Sequence, residues 1–245
     1  MTEKNPFRIM TREHYPIIEV ASVLSAMRTT HDIDSETLRM VIEFIRKFAD
    51  LYHHEKEEKV VFEQAKKKRI DTSPIDAMEK EHEMTRSRVR EALASLEKGD
   101  LKNAIVNLRE WANFIPDHID RENHSLFPGL DMVFGENERE ILLREFSRID
   151  LELGNFREMQ ELADKIFADI LSKTGNAIVE ARAIPKEDRD EFVVRLANLM
   201  PENTVMTVMY DEKSEELERR LEEFEIEEIK KRGVYAFRIR KTRNQ

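Results

Sequence analysis

Two histidine–glutamate pairs, His54 with Glu58 and His118 with Glu122, stand four residues apart inside stretches whose apolar residues recur at helical spacing. Four residues rise about 6 Å along a helix axis, so both side chains of such a pair leave one face. Counted at about 100° per residue, the second helical stretch carries an apolar stripe of Phe44, Phe48, Leu51, His54, Glu58, Phe62 and Ala65. The fourth repeats the device with Ile105, Leu108, Trp111, Ile115, His118, Glu122 and Leu126. In the third the stripe is Ile75, Met78, His82, Thr85, Val89 and Leu96, and in the first Met10, His14, Ile17, Ala21 and Leu24. Each helix thus aims one imidazole inward. On the same count His53 and Glu57 fall about a quarter turn off the stripe, and His124 points to the far side.

A single histidine on an apolar face is commonly a hydrogen-bonded core residue, and one His-x-x-x-Glu on a helix arises often by chance. The joint pattern is different. Four imidazoles and two carboxylates aimed at one core cost on the order of several kcal/mol per ionised group unless opposite charge compensates them. Two metal ions would supply that charge, with a carboxylate from each of two helices bridging them. Nitrogen and oxygen donors without sulfur suit iron, then manganese or zinc, and donor type does not separate these. Six protein donors for two ions leave positions open for a small molecule. The competing reading is a metal-free helical interaction module.

Four helices must position these donors. The breaks between them are Thr29 to Asp34, Arg69 to Pro74, Gly99-Asp100, and Pro128-Gly129 to Glu136. Short connections imply antiparallel neighbours, hence an up-down four-helix bundle. Pro16 makes His14 a first-turn residue, and Pro116 kinks the fourth helix beside His118. A fifth, long helix is expected from Glu138 to Ser172, bent at Gly154.

The pattern changes at Lys173-Thr174-Gly175-Asn176, dividing the chain into a bundle with its additional helix (1–172), a linker (173–176) and a small domain (177–245). Strands are expected at Ala177 to Arg182, Thr204 to Tyr210, Phe224 to Lys230 and Val234 to Arg240, and helices at Lys186 to Met200 and Ser214 to Glu223. Lys231-Arg232-Gly233 would turn the last two strands into a hairpin. The result is βαβαββ, a two-layer α+β unit after a mainly α domain.

Composition excludes several classes. Of 245 residues none is cysteine, which removes disulfides, thiolate nucleophiles, iron–sulfur ligation and cysteine-based zinc sites. A net charge of -10 argues against a phosphate-tracking nucleic-acid binder. No run of apolar residues is long enough for a membrane span, and residues 1–10 lack a signal peptide's apolar stretch, so a cytoplasmic protein is expected. The basic end of the chain from Lys230 reads as a solvated edge strand and tail.

The runs Glu13-His14, His53-His54-Glu55-Lys56-Glu57-Glu58 through Phe62, Glu81-His82-Glu83, and His118-Ile119-Asp120-Arg121-Glu122 to Phe127-Pro128 resemble the hemerythrin-like (HHE cation-binding) family over roughly residues 8 to 135. The resemblance implies a non-haem di-iron centre, two irons joined by an oxo or hydroxo group. His14, His54, His82 and His118 would be terminal ligands, Glu58 and Glu122 bridges, with a vacant position for dioxygen, nitric oxide or peroxide. It further implies a sensing or scavenging role in stress. Oxygen-carrying members have a second histidine four residues after the third-helix ligand and an aspartate five residues after the fourth-helix one, where this chain has Arg86 and Asn123. A site of four histidines and two glutamates is instead similar to the RIC (repair of iron centres) group, which implies an alternative role as iron donor to damaged iron centres. The C-terminal βαβαββ order with Ala183-Ile184-Pro185-Lys186 resembles the TusA-like sulfur-carrier fold. Without cysteine it cannot carry a persulfide, and a binding or regulatory module, a protein partner's dock or a homodimer contact remains.

Overall fold

In the computed structural model, residues 4–30, 33–154, 156–231 and 234–241 are described. Helix α1 (Pro6–Ala26) starts where Asn5 Oδ1 accepts the backbone N–H groups of Phe7, at 2.9 Å, and Arg8, with Pro6 supplying a preset φ. Eight residues therefore precede His14 in the helix. It is not a first-turn residue, and Pro16 lies in the interior, where the helix tolerates one missing hydrogen bond.

Helix α2 spans residues 35–66, its first turn capped by Asp34, which accepts the Thr37 N–H at 2.7 Å. Its winding is not uniform. After the α-helical Ser35–Phe44, the segments Ile45–His53 and Lys56–Phe62 adopt the wider π-helical turn before Glu63–Lys66 closes the rod. Helix α3 is Ser73–Glu97 and ends at Gly99, whose φ of 75° lies in the left-handed region glycine favours. Helix α4 occupies residues 101–133, capped by Asp100 on the Asn103 N–H, with a π segment Glu122–Leu126 between Leu101–Arg121 and Phe127–Val133. The break expected over Pro128-Gly129 to Glu136 falls at the far end of that stretch, at Phe134-Gly135, and the helix runs through Pro128: a proline's φ is already helical, and the wide turn just before it relieves the clash that would stop a regular helix.

The long stretch that follows is two helices, α5 (Glu136–Leu153) and α6 (Phe156–Thr174), parted at Gly154 with φ 103°. Helix α1 packs on α4, on α6 and on the first strand of the C-terminal sheet, so it is buried on nearly every side from Glu13 to Leu24.

After Gly175, β1 (Asn176–Glu180), a 3₁₀ turn (Ala181–Ala183), α7 (Lys186–Leu199), β2 (Thr204–Tyr210), α8 (Glu215–Arg220), β3 (Glu225–Lys231) and β4 (Val234–Lys241) realise the expected βαβαββ order. The sheet runs β1-β2-β4-β3, with β1 parallel to β2 and the other pairs antiparallel. Strand β4 is therefore interior and not the edge its basic residues suggested. Its charges are matched across the ladder, Arg238 opposite Glu227 with a 2.8 Å ion pair, and Arg240 opposite Glu225. Of the expected hairpin turn, Arg232 and Gly233 lie outside the described residues. No described helix is long and apolar enough to cross a membrane.

Candidate metal centre

The bundle interior is apolar above and below, with Phe44, Phe48, Phe62, Trp111 and Phe127 buried, and polar in one middle layer. There the side chains form two clusters: His14, His53, Glu57 and Glu122, and His54, His82 and His118, all buried. Helix α1 contributes His14, α2 contributes His53, His54 and Glu57, α3 contributes His82, and α4 contributes His118 and Glu122.

Of the six residues singled out from sequence, His14, His54, His82, His118 and Glu122 stand in these clusters. Glu58 does not. It is partly exposed and turns to the outer nitrogen of His82, Nδ1, at 2.8 Å, and to Arg86. The inward carboxylate of α2 is Glu57, and His53 joins it, both fully enclosed. The winding explains the difference. A regular helix steps from Phe48 through Leu51 to His54, but Leu51 is 55% exposed. The π turns carry more than four residues each, so the buried face steps Phe44, Phe48, His53, Glu57, Phe62, by 4, 5, 4 and 5.

One signal could have found them. His53-x₃-Glu57-x₄-Phe62 repeats His118-x₃-Glu122-x₄-Phe127, and Glu13-His14 repeats Glu81-His82. The helix pair α1–α2 thus mirrors α3–α4, down to the groups that hold each ring from outside. Glu13 Oε2 meets His53 Nδ1 at 3.1 Å, and its counterpart Glu81 meets His118 Nδ1 at 2.7 Å. Asn123 Oδ1 meets His14 Nδ1 at 2.8 Å, as its counterpart Glu58 meets His82. The mirror is broken at two positions: Glu58 corresponds to Asn123, and His54 to Ile119.

Those outer partners decide the protons. Glu58 and Glu81 are held below the usual carboxylate range, because His82 and Arg86 on one, and His118 and Arg121 on the other, outweigh the effect of burial. An ionised carboxylate only accepts, so each of these two rings donates from Nδ1 and turns Nε2 to the interior. Yet Nε2 of His14 lies 2.8 Å from Nε2 of His53, and Nε2 of His82 lies 3.2 Å from Nε2 of His118. Ring nitrogens at such distances repel unless a proton or a metal cation lies between them.

The carboxylates point the same way. Glu57 Oε1 is 3.5 Å from His53 and Oε2 is 3.3 Å from His82; Glu122 Oε2 is 3.3 Å from His14 and Oε1 is 3.2 Å from His118. Each carboxylate faces one cluster with one oxygen and the other cluster with the second, and all four buried oxygens lack a hydrogen bond. With protein groups alone this layer is frustrated. Burial, then repulsion from Glu122, drives Glu57 well above the usual carboxylate range. Burial drives His53 and His54 well below the imidazole range. His118 is pushed up to about 9, Glu122 and Glu81 overcoming its burial, while the surrounding imidazoles, His118 foremost, drive Glu122 well below its range despite burial. The layer recruits positive charge wherever it can. Metal cations in the two clusters fit every one of these features: five imidazole donors, two bridging-capable carboxylates and outer partners that orient the rings.

Among these donors runs a cavity of about 10 Å³, walled by Ile17, Ala49, Ile115 and Ile119 as well as by His14, His53, His54, His118 and Glu122. That is about the space of one water-sized probe. Behind Glu13 lies a fully buried ammonium, Lys56, bound to Glu13 at 2.5 Å and Asp150 at 2.7 Å and seated 3.6 Å from the Tyr52 ring centre. His124, expected to face away, is exposed on the surface.

Comparison with known families gave one match: the model of the hemerythrin HHE cation binding domain covers residues 5–130, just over half of the 245-residue chain and all the donors described above. No curated protein and no solved structure matched the chain.

Proposed function

Because the chain belongs to the hemerythrin family of HHE cation-binding domains, we propose that its polar layer is a non-haem di-iron centre serving to bind or react with a small redox-active molecule, dioxygen or nitric oxide. His14 and His53 would hold one ion and His54, His82 and His118 the other, with Glu57 and Glu122 shared between them. The donor set of nitrogen and oxygen without sulfur suits iron, and iron in such a set supplies reversible one-electron chemistry and affinity for diatomic ligands.

The observation that carries this reading is the pair of Nε2 contacts, 2.8 and 3.2 Å, between imidazoles whose Nδ1 atoms are each engaged by an outer partner. The protein's own contribution is orientation and exclusion. Glu13, Glu58, Glu81 and Asn123 fix four rings so that no reorganisation is needed when the ions enter. The isoleucines around the cavity keep it narrow, with space for about one water-sized group beside the donors. The His14–His53 cluster has fewer imidazoles than the other and would leave more of its ion's coordination open to a ligand. A stress-sensing or scavenging role follows from that choice of ligand.

The test is metal analysis of protein isolated without added metal, together with its optical spectrum before and after exposure to air and to nitric oxide. Two irons per chain and a spectrum that responds to at least one gas are expected. Absence of stoichiometric metal, or an iron-loaded protein indifferent to both gases, would overturn the proposal.

A further inference from the structure

Four rings of the polar layer are held from outside through Nδ1, three of them by carboxylates on bundle helices. The fourth, His14, is held by Asn123, and Asn123 is held in turn by the C-terminal unit: its Nδ2 donates to the backbone carbonyl of Ala183 at 2.8 Å. This arrangement settles a question of atoms. A backbone carbonyl only accepts, so the amide nitrogen of Asn123 must face Ala183 and its oxygen must face His14. An amide oxygen also only accepts, so the His14 hydrogen must be on Nδ1. The Nε2 lone pair then points at His53 and Glu122.

The helix mirror shows why the residue is an amide. At the corresponding place in α2 stands Glu58, whose charge is met by Arg86. A carboxylate at position 123 would instead face the Ala183 oxygen, acceptor against acceptor, and would be repelled. The turn that presents this oxygen is itself pinned. Arg189, 4% exposed, donates to the carbonyls of Arg182 at 3.0 Å and Ile184 at 3.1 Å on either side of Ala183, and to Asp211 at 2.8 Å.

We infer that Asn123 is a positioning residue through which the C-terminal unit sets the tautomer of His14 and so completes the first cluster. The inference rests on the metal reading for its consequence, though not for its geometry. The C-terminal sheet is then part of the centre, and whatever loosens the Ala181–Ala183 turn weakens one metal position and leaves the other.

The test uses the full-length chain and two readouts. Nitrogen-15 NMR of the ring nitrogens of metal-free protein should show His14 as the Nδ1–H tautomer, and Asn123→Asp, which can still accept from His14 but cannot donate to Ala183, should disturb that state. Competition of iron(II) against a chelator under anaerobic conditions should show one of two iron equivalents weakened roughly 10- to 100-fold in Asn123→Ala and Asn123→Asp. Arg189→Ala should weaken the same equivalent, and the double variant Asn123→Ala/Arg189→Ala should be no worse than Asn123→Ala alone, because both act through one contact. An Nε2–H tautomer in the wild type, or unchanged iron binding in Asn123→Asp and Arg189→Ala while the wild type binds two equivalents, would overturn the inference. So would losses that multiply in the double variant. A wild type that shows the Nδ1–H tautomer but takes up no iron would contradict the metal reading and leave the tautomer assignment standing.

Discussion

Glu57 and Glu122 stand on facing helices with all four carboxylate oxygens buried and without a hydrogen bond, each reaching toward both histidine clusters at 3.2–3.5 Å. Two such carboxylates in an apolar core are tolerated only where a proton or a cation offsets their charge.

The two neighbouring glutamates of α2 should separate cleanly on substitution. Glu57→Gln removes a shared donor and should abolish binding of both ions, whereas Glu58→Gln removes an outer partner of His82 and should weaken binding about 10- to 100-fold. Metal content and melting temperature of the two variants check this, and metal retained in Glu57→Gln but lost in Glu58→Gln would restore the register of a regular helix.

Lys56 has no solvent exposure and neutralises Glu13 and Asp150. Lys56→Met leaves Glu13 buried without its cation, a class of change that costs about 3–5 kcal/mol. Burial already pushes Glu13 up to about 7 against the pull of Lys56. Chemical denaturation of the variant should show a loss of that size, and a loss under about 1 kcal/mol would show that the core relaxes around the unpaired acid.

Glu19 sits between the bundle and the C-terminal unit, bound to Arg195 at 2.6 Å and Gln160 at 2.8 Å. Burial raises its pKa to about 8 from the ordinary 4.5, outweighing Arg195. The folded state thus holds a proton that the unfolded chain releases, so stability is lost as pH rises from about 4.5 to about 8, by up to about 1.4 kcal/mol per unit. Glu19→Gln keeps the neutral form and should flatten this slope. Unfolding free energies of both proteins at pH 5, 6.5 and 8 are the check, and parallel profiles would contradict it.

The cavity among the donors can be filled without touching a donor. Ala49→Leu adds bulk to its wall and should leave metal content unchanged while slowing or abolishing the spectral response to nitric oxide. An unaltered response would place the ligand elsewhere.

Much of this was legible in the residues. His82 and His118 lie on regularly wound helix and Glu122 directly follows it, so counting at the α-helical period turns all three inward, and the alternation of Thr204, Met206, Val208 and Tyr210 marks β2 as a half-buried strand. The face of α2 was not legible by that count, because the π turns around His53 add residues per turn and no propensity announces them. The internal repeat of His53-x₃-Glu57 with His118-x₃-Glu122 carried the correct register independently of winding. The order β1-β2-β4-β3 and the bond from Asn123 to Ala183 depend on contacts between residues far apart in the chain, which local spacing does not encode.

A crystal structure of the iron-loaded protein, with anomalous difference density collected at the iron edge, would locate the ions in the polar layer. Two peaks are expected, one among His14, His53, Glu57 and Glu122 and one beside His54, His82 and His118, both within bonding reach of Glu57 and Glu122. Density centred on Glu58 in place of Glu57, or no anomalous density in this layer, would contradict the account.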